Sequence, residues 1–399
     1  MIISTWRQSL LAFMLLVLGR YLMPQAATAQ DYVWTGAGSA GTNNWTDRAN
    51  WLYDIFAQPV SDERSMALGW FPTTNTVING SPQCQINSLF FFGNDNYVLD
   101  CGSGLTLLNN AGGPNGGTIR SAGGTNEIRS IGAVGQEYGT IVAESGMIVL
   151  RPHLTNAIPT QPGFEFYAAE GAVIKVLGGS EGAVRVDGIN YESSGTVIYS
   201  GASHCRNVML VSGTLIINGT ILLTPTVDVY NPNFTIDSGY LGAGGGVLAG
   251  NGTIQDIGRL DIPELATLRP GDPATNDGIG TLTFTNASAY LDFKSDSTLE
   301  IRLGNIAASS VVWPERVNIH VLNAYGNAAR LALVQNEGTR LANGTYTLLT
   351  YQQRYDNGSF DVTFNGGPLP NGLSVEYGPH ALVLKVSRTP SRATVFQVL

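Results

Sequence analysis

Charge is scarce in this chain, because only 13% of its 399 residues are Asp, Glu, Lys or Arg. An average globular protein carries about twice that fraction. Surface helices need a charged outer side, so the scarcity argues against a helical protein. Acids outnumber bases by 30 to 21, which gives a net charge of −9. An acidic chain repels nucleic acid and anionic membranes, and we expect neither as a partner.

Cysteine and histidine are equally sparse. The three cysteines are Cys84, Cys101 and Cys205, and an odd number in an exported protein allows at most one internal pair. If the run between Cys84 and Cys101 is one coil or one hairpin, the two cysteines lie on neighbouring strands about 4.8 Å apart. This spacing predicts a disulfide between them, with two buried free thiols as the alternative. The four histidines are too widely separated to suggest metal ligands, and no cofactor is expected.

Long apolar runs are missing beyond the N-terminus. Arg7, the apolar run from Leu10 to Leu18 and the small residues up to Ala29 predict a signal peptide over residues 1–29, cleaved after Ala29. An uncleaved signal anchor is the alternative. No later segment reaches the roughly 18 apolar residues of a membrane-spanning helix, so we expect no stable membrane insertion. The expected location is secreted: extracellular, at the cell surface or in the periplasm.

Glycine, in contrast, is abundant, with 49 residues. Between Ser238 and Phe284 short apolar pieces alternate with polar residues, and Gly, Asn or Asp interrupts them every few positions. Side chains alternate along a strand and turns need residues that tolerate positive φ, so this pattern predicts many short strands joined by tight turns. Near-repeats at 194–201, 212–219 and 250–258 favour a β-solenoid over a β-sandwich.

The sequence divides into successive segments. Residues 30–82 hold four of the six tryptophans and predict an aromatic-rich N-terminal cap over the open end of a solenoid. Residues 83–304 keep the strand-and-turn rhythm and predict solenoid coils. Residues 305–388 contain longer alternating segments, which predict C-terminal β-rich coils and a cap, and residues 389–399 are predicted to form a tail.

Several of these segments resemble one family. Bacterial autotransporter-associated β-strand repeat proteins begin with a segment similar to VWTGAGSAGTNNWTDRANW and a coil similar to INSLFFFGNDNYVLDCGSGLTL at 86–107. Their passenger signature, a Gly-Thr-Ile coil followed by a Pro-Gly turn and a Gly-Thr-Leu strand, is similar to residues 244–286. Their closing portion resembles GTYTLLTYQQRYDNGSFDVTF at 344–364.

The resemblance implies an all-β fold, a right-handed single-stranded β-helix (β-solenoid) that is pectin-lyase-like or pertactin-like, with N- and C-terminal caps. Members are generally surface or extracellular proteins, and many have no enzymatic role. The expected function is therefore that of a secreted or cell-surface structural or adhesive protein without catalysis. Its expected partners are cell-surface glycans or matrix, with weak self-association at exposed sheet edges.

Two other function classes stay open. A carbohydrate-active β-helix enzyme, a polysaccharide lyase or hydrolase, would need two facing carboxylates; a hydrolase holds them about 5–9.5 Å apart. Asp256 with Asp261, or Asp292 with Asp296, are candidates for such a pair. A non-catalytic carbohydrate-binding protein needs a line of exposed aromatic side chains. The candidates for that line are Tyr191, Tyr199, Tyr230 and Tyr240.

Three weaker motifs are further candidates for catalysis, phosphate binding or calcium binding. His204 and Cys205 are adjacent, but neighbouring strand residues point to opposite sides, which argues against a nucleophile pair. The Gly-rich run at 242–252 lacks the lysine of a phosphate-binding loop, so turns explain it better. Asp272 or Asp277 is a candidate for a weak calcium site.

Overall fold

Nearly all of the regular structure in this protein is β-strand. The computed structural model describes residues 32–34, 51–52, 65–68, 76–79, 84–86, 88–91, 93–94, 96–108, 118–134, 139–152, 164–177, 184–188, 195–205, 207–210, 212–223, 233–236, 245–285, 290–319, 328–355 and 358–388. Within them lie 35 strands and a single 3-10 turn at Asn276–Gly278. The expected all-β class is confirmed. The predicted signal peptide and tail lie outside the described residues.

The strands form four sheets, of which the largest has thirteen strands. In chain order, its strands are Thr76–Asn79, Cys84–Ile86, Tyr97–Leu108, Thr125–Val134, Met147–Pro152, Val173–Leu177, Thr196–Ser200, Thr214–Ile217, Val247–Gly250, Thr267–Pro270, Thr298–Leu303, Arg330–Gln335 and Asp361–Phe364.

A ten-stranded sheet accompanies it through the first part of the chain. Its strands are Tyr32–Trp34, Trp51–Leu52, Ser65–Leu68, Ser88–Phe91, Thr118–Ser121, Gly139–Ala143, Phe164–Ala168, Val184–Gly188, Asn207–Leu210 and Asn233–Ile236.

An eight-stranded and a four-stranded sheet belong to the later part of the chain. The eight strands are Ala202–Cys205, Thr220–Leu223, Thr253–Gln255, Thr281–Thr285, Ser310–Val312, Gly344–Thr350, Leu373–Tyr377 and Ala381–Val386. The four strands are Leu260–Ile262, Tyr290–Phe293, Arg316–Ile319 and Gln353–Tyr355.

The chain visits these sheets in a repeating order. From residue 260 onward each strand of the four-stranded sheet is followed by one of the thirteen-stranded sheet. One strand of the eight-stranded sheet comes next, or two of them after the last such visit. Pairing between successive visits is parallel: Thr267 faces Thr298, which in turn faces Arg330. Among the described strands, antiparallel pairing occurs only in the sheet ends near the two termini. Long parallel sheets therefore run through the described chain.

The core lies between the sheets and follows the alternation of the strands. On Val173–Leu177 and Thr196–Ser200 every second residue is buried. These buried positions hold Val, Ile, Leu and aromatic residues, which fit the pleated surface of a sheet. Phe284 and Trp313 pack with ring centroids 5.0 Å apart, within the range of stabilising aromatic pairs. The same alternation points the other residues of each strand away from the core.

The turns between strands have two chemical types. Gly146 has φ +68°, and a Cβ on it would lie 2.1 Å from the carbonyl oxygen of Gly124, so only glycine fits there. In a later turn the positive-φ position is filled by Leu265, with φ +65° and 55% of the residue exposed. The next corresponding turn has Asp296 at φ +60°. Asp tolerates this region better than Leu does.

The C-terminal end of the eight-stranded sheet is closed by two antiparallel strands. Ala381–Val386 pairs with Gly344–Thr350 on one side and with Leu373–Tyr377 on the other. The hydroxyl of Tyr351 donates to the carbonyl oxygen of Gly378 at 2.9 Å, while that of Tyr377 accepts from the amide of Phe360 at 2.8 Å. Burial raises the pKa of Tyr377 above its usual value, since it disfavours the phenolate.

The two cysteines of the predicted disulfide lie on paired strands but are not aligned. Cys84 faces Leu105 in the parallel register, four residues beyond Cys101 on the same strand. The expectation of neighbouring strands is correct. The side chains of both cysteines lie outside the described part of the chain, so the disulfide stays a prediction.

Candidate functional site

One side of the four-stranded sheet presents polar side chains at positions that alternate with the core. On Tyr290–Phe293, Leu291 and Phe293 are fully buried, so Tyr290 and Asp292 point to the opposite side. Leu260–Ile262 and Arg316–Ile319 follow the same alternation, and Gln353 lies in register with Arg316. The resulting surface, which we name the charged face, consists of Arg259, Asp261, Tyr290, Asp292, Lys294, Arg316, Asn318 and Gln353.

The parallel register arranges this face in columns. Strand neighbours in register are Asp261, Asp292 and Asn318 in one column and Tyr290, Arg316 and Gln353 in another. Neighbouring strands lie about 4.8 Å apart, so the four strands extend the charged face over roughly 14 Å. Strand pairing, which fixes the backbone, therefore fixes the spacing of the functional groups.

Asp292 is the centre of the charged face. Its Oδ2 accepts hydrogen bonds from Nη2 of Arg259 at 3.0 Å and from Nζ of Lys294, and its Oδ1 accepts from Nδ2 of Asn318 at 3.0 Å. Only 3% of the Asp292 side chain is exposed. Asp292 is therefore inaccessible although it points away from the core. A buried carboxylate is tolerated only when it is paired in this way.

Arg259 joins the two columns. Its Nε donates to Oδ1 of Asp261 at 2.6 Å, and its guanidinium carbon lies 4.4 Å from the ring centroid of Tyr290. Burial alone would lower the pKa of Arg259, but hydrogen bonding and attraction from Asp261, with attraction from Asp292, raise it above its usual value. The guanidinium is thereby fixed between two carboxylates and an aromatic ring, a geometry suited to a rigid binding surface.

Arg316 differs from the other cations of this face. It is exposed at the start of its strand. No acceptor side chain forms a hydrogen bond or ion pair with its guanidinium within the described residues. The charged face thus combines a network of paired side chains around Asp292 with the exposed guanidinium of Arg316.

The structure places one member of each candidate carboxylate pair in a turn and the other member on a strand. Asp256 and Asp296 lie in turns with φ +58° and +60°, outside the strands. The register instead places Asp261 opposite Asp292 on the neighbouring strand. Both oxygens of Asp292 accept hydrogen bonds from cations or an amide, so neither is free to face a substrate. This arrangement is that of an ion-pair network.

The structure also separates the two candidates for a calcium site. Asp272 is buried, and its carboxylate accepts hydrogen bonds from Nδ2 of Asn218 at 2.6 Å and from the amide of Ala274 at 2.9 Å. Asp277 lies exposed in the 3-10 turn. In the described ranges, His, Cys, Asp and Glu form no group of three or more that could hold a metal ion. Asp272 therefore secures a turn.

The aromatic line predicted from the sequence fails at the one position that the structure describes. Tyr199 is 1% exposed and packs edge-on against Phe166 in the core. The prediction that Tyr199 is exposed is wrong, because Tyr199 occupies a core-facing position of its strand. Tyr191, Tyr230 and Tyr240 lie outside the described residues, as do the side chains of His204 and Cys205. His380 is exposed, with its Nδ1 2.8 Å from the carbonyl oxygen of Gln352.

A second charged network lies on the thirteen-stranded sheet. Oε1 of Glu127 accepts hydrogen bonds from Nε of Arg129 at 2.9 Å and from Nε of Arg151 at 2.7 Å, and Arg129 also reaches Asp100 at 3.2 Å. Burial would raise the pKa of Glu127, but the hydrogen bonds and charges of Arg151 and Arg129 bring it below its usual value. Every cation of this network already has a carboxylate partner.

Arg269, Glu300 and Arg302 form a third group, further along the same sheet. Nε of Arg302 lies 3.4 Å from Oε1 of Glu300. Burial lowers the pKa of Arg269, although the charge of Glu300 partly opposes this effect. The Nε atoms of both arginines are inaccessible, with Gly278 close against Arg302. The buried Nε atoms leave less of each guanidinium open to a ligand than in the exposed Arg316, so the charged face is the better candidate site.

Sequence reasoning did not single out Arg259, Lys294, Arg316 or Asn318. A signal was present in the three short runs RLDI, YLDFK and RVNI, each of which alternates polar with apolar residues. Because each run is only four or five residues long, its period is hard to recognise without the strand pairing that aligns it.

Comparison with known proteins adds no assignment. No protein-family model and no curated protein matches this chain, so the resemblance described above stays a prediction. A search of the described residues finds no helix that is long and apolar enough to cross a membrane.

Proposed function

We propose that the protein is a secreted or cell-surface structural or adhesive protein, built as a right-handed β-solenoid with a cap at each end. The repeated order in which the chain visits its parallel sheets supports this architecture. Stacked coils of this kind contact mainly their neighbours and form stiff, elongated scaffolds. The sheets would then act as long faces that present side chains to the surroundings.

The observation that carries the proposal is the chemistry of the outward positions. On the eight-stranded sheet Thr220, Thr253 and Thr283 lie in register and partly exposed, while the four-stranded sheet presents the charged face. These outward positions form rows of polar groups along the sheets. Such rows suit contact with an extended partner.

Export and adhesion together test the proposal. The full chain is expressed in a bacterial host, and its cell fractions, culture medium and N-terminal sequence are analysed. We expect a protein outside the cytoplasm that begins at Gln30, and retention of cells that display it on glycan-coated surfaces. A cytoplasmic protein that keeps its N-terminus would contradict the proposal.

A degradation screen separates display from catalysis. The exported protein is incubated with a panel of polysaccharides, and reducing ends and unsaturated products are measured. We expect no turnover. Any turnover would favour the carbohydrate-active enzyme instead, and a loss of that turnover in Asp261→Asn would place the reaction at the charged face.

A further inference from the structure

The charged face has a different chemical character from the outward surface of the eight-stranded sheet. Small hydroxyl side chains such as Thr253 and Thr283 occupy the corresponding rows of the eight-stranded sheet. The charged face instead presents guanidinium, ammonium, carboxylate, amide and phenol groups on four short strands. Threonine serves strand stability in any sheet. Asp and Asn are poor strand residues, so their presence in the strands needs another reason.

Its charge is also opposite in sign to that of the chain. Three cations, Arg259, Lys294 and Arg316, stand beside two carboxylates, Asp261 and Asp292, which gives 3 − 2 = +1. The whole chain has a net charge of −9. The positive charge that remains after internal pairing belongs to Arg316, which is exposed and has no described acceptor. A partner with negative charge complements this position and is repelled by much of the remaining surface.

Two other groups of the charged face suit hydroxyls. Gln353 is the exposed register neighbour of Arg316 on the next strand. Asp261, two strands away from Arg316 in the other column, is partly exposed with one oxygen fixed by Arg259. Amide and carboxylate groups donate to and accept from hydroxyls. Because Asp292 holds Arg259, Lys294 and Asn318 in place, a ligand would lose little free energy in ordering them.

We propose that the charged face binds an extended polysaccharide that carries carboxylate groups, in other words a polyuronate. Arg316 forms a bidentate ion pair with one sugar carboxylate, and Gln353 and Asp261 hydrogen-bond the hydroxyls of adjoining rings. The chain of the polymer lies along the columns, over the roughly 14 Å that the four strands provide. This inference rests on the proposed function, since it names the partner of the displayed surface.

Alginate and its propylene glycol ester test the proposal, because they share one backbone and differ in free carboxylates. Binding of both polymers to the exported full chain is measured by calorimetry in EDTA, together with Arg316→Gln and with Arg330→Gln as the matched control. Arg330 is an exposed arginine on the thirteen-stranded sheet, outside the charged face. We expect alginate affinity to fall at least tenfold in Arg316→Gln and less than twofold in Arg330→Gln. The ester is expected to bind the unchanged protein at least tenfold more weakly than alginate.

Three results would overturn the inference: no alginate binding by the unchanged chain, equal binding of the ester, or equal losses in the two variants. Thermal unfolding of each variant checks that the fold is kept. The outcome is separable from that of the proposed function. A chain that is exported and adhesive but ignores alginate refutes only this inference, whereas alginate binding by a chain that stays in the cytoplasm refutes only the proposed function.

Discussion

The networks around Glu127 and Asp292 each pair a carboxylate with two cations, but the two carboxylates differ in how much of the side chain is exposed. Glu127 keeps 19% of its side chain exposed between two arginines on the thirteen-stranded sheet. Asp292, on the four-stranded sheet, keeps 3%, although its partners Arg259 and Lys294 are 42% and 33% exposed. The difference shows that a carboxylate on the outer side of a sheet can be nearly as inaccessible as a core residue. Such a carboxylate depends on its partners far more than an exposed one does.

Removal of the deeper carboxylate is expected to have the largest effect. Asp292→Ala leaves Arg259, Lys294 and Asn318 without their common acceptor, and we expect the free energy of unfolding to fall by about 3 kcal/mol. The change is measured from urea unfolding followed by circular dichroism. A loss of under about 1 kcal/mol would mean that water replaces Asp292 adequately and that the two networks do not differ in kind.

The turns of the two regions offer a second contrast. Gly124 and Gly146 occupy positive-φ positions beside the Glu127 network, whereas Leu265 occupies one near the charged face. A non-glycine side chain in this conformation costs roughly 1–2 kcal/mol, and Asn tolerates it better than Leu. We expect Leu265→Asn to raise the free energy of unfolding by about 1 kcal/mol in the same urea assay. Leu265→Ala removes the exposed apolar group without relieving the strain, so a similar gain in that control would refute the explanation.

The shallower network is expected to contribute less. Glu127→Gln removes one charge from between Arg129 and Arg151, and we expect a loss of about 0.5–1 kcal/mol at low ionic strength. The loss should shrink when unfolding is repeated in 1 M salt, which screens exposed charges. A loss as large as that of Asp292→Ala, or one that salt does not change, would remove the distinction between the networks.

The smallest expected effect is the change with pH in the stability that Glu127 contributes. The pKa of Glu127 is lowered in the folded protein from its ordinary value of 4.5, so its contribution to stability is complete above that value. It is lost as the pH falls below 4.5 and through the folded pKa. The difference in stability between the unchanged protein and Glu127→Gln should therefore decrease below pH 4.5. A difference that is constant from pH 7 to pH 3 would contradict the lowered pKa.

The sequence predicts the strands that are rich in β-branched residues and misses the ones that build the site. Thr214–Ile217 and Thr220–Leu223 follow directly from Thr, Ile and Leu between glycines. The strands of the four-stranded sheet, among them Leu260–Ile262 and Arg316–Ile319, were not predicted. They are three or four residues long and carry Asp, Asn or Gln, which are weak strand formers alone. Their pairing with strands about 30 residues away stabilises them, and local sequence does not reveal it.

The phase of a strand is also hard to predict. In the run TVIYS, Val197 and Tyr199 face the core while Ile198 points away. Both sides of this strand carry apolar groups, so alternation does not reveal which side is exposed. The assignment of Tyr199 to a binding line failed for that reason. For Asp292 the polar side chain correctly indicates the outer side of the sheet. Its burial, however, depends on neighbours that only the fold brings together.

The two antiparallel strands at the C-terminal end, Leu373–Tyr377 and Ala381–Val386, affect how molecules can associate through the edges of their sheets. A parallel stack has no intrinsic length, because its last strand offers the same backbone groups that the next strand would use. Ala381–Val386 occupies those groups on Gly344–Thr350 with a strand of opposite direction. The C-terminal segment therefore decides what this end of the sheet offers to a second molecule. Its outermost strand, Leu373–Tyr377, presents an antiparallel edge in place of the parallel edge that Gly344–Thr350 would otherwise leave open.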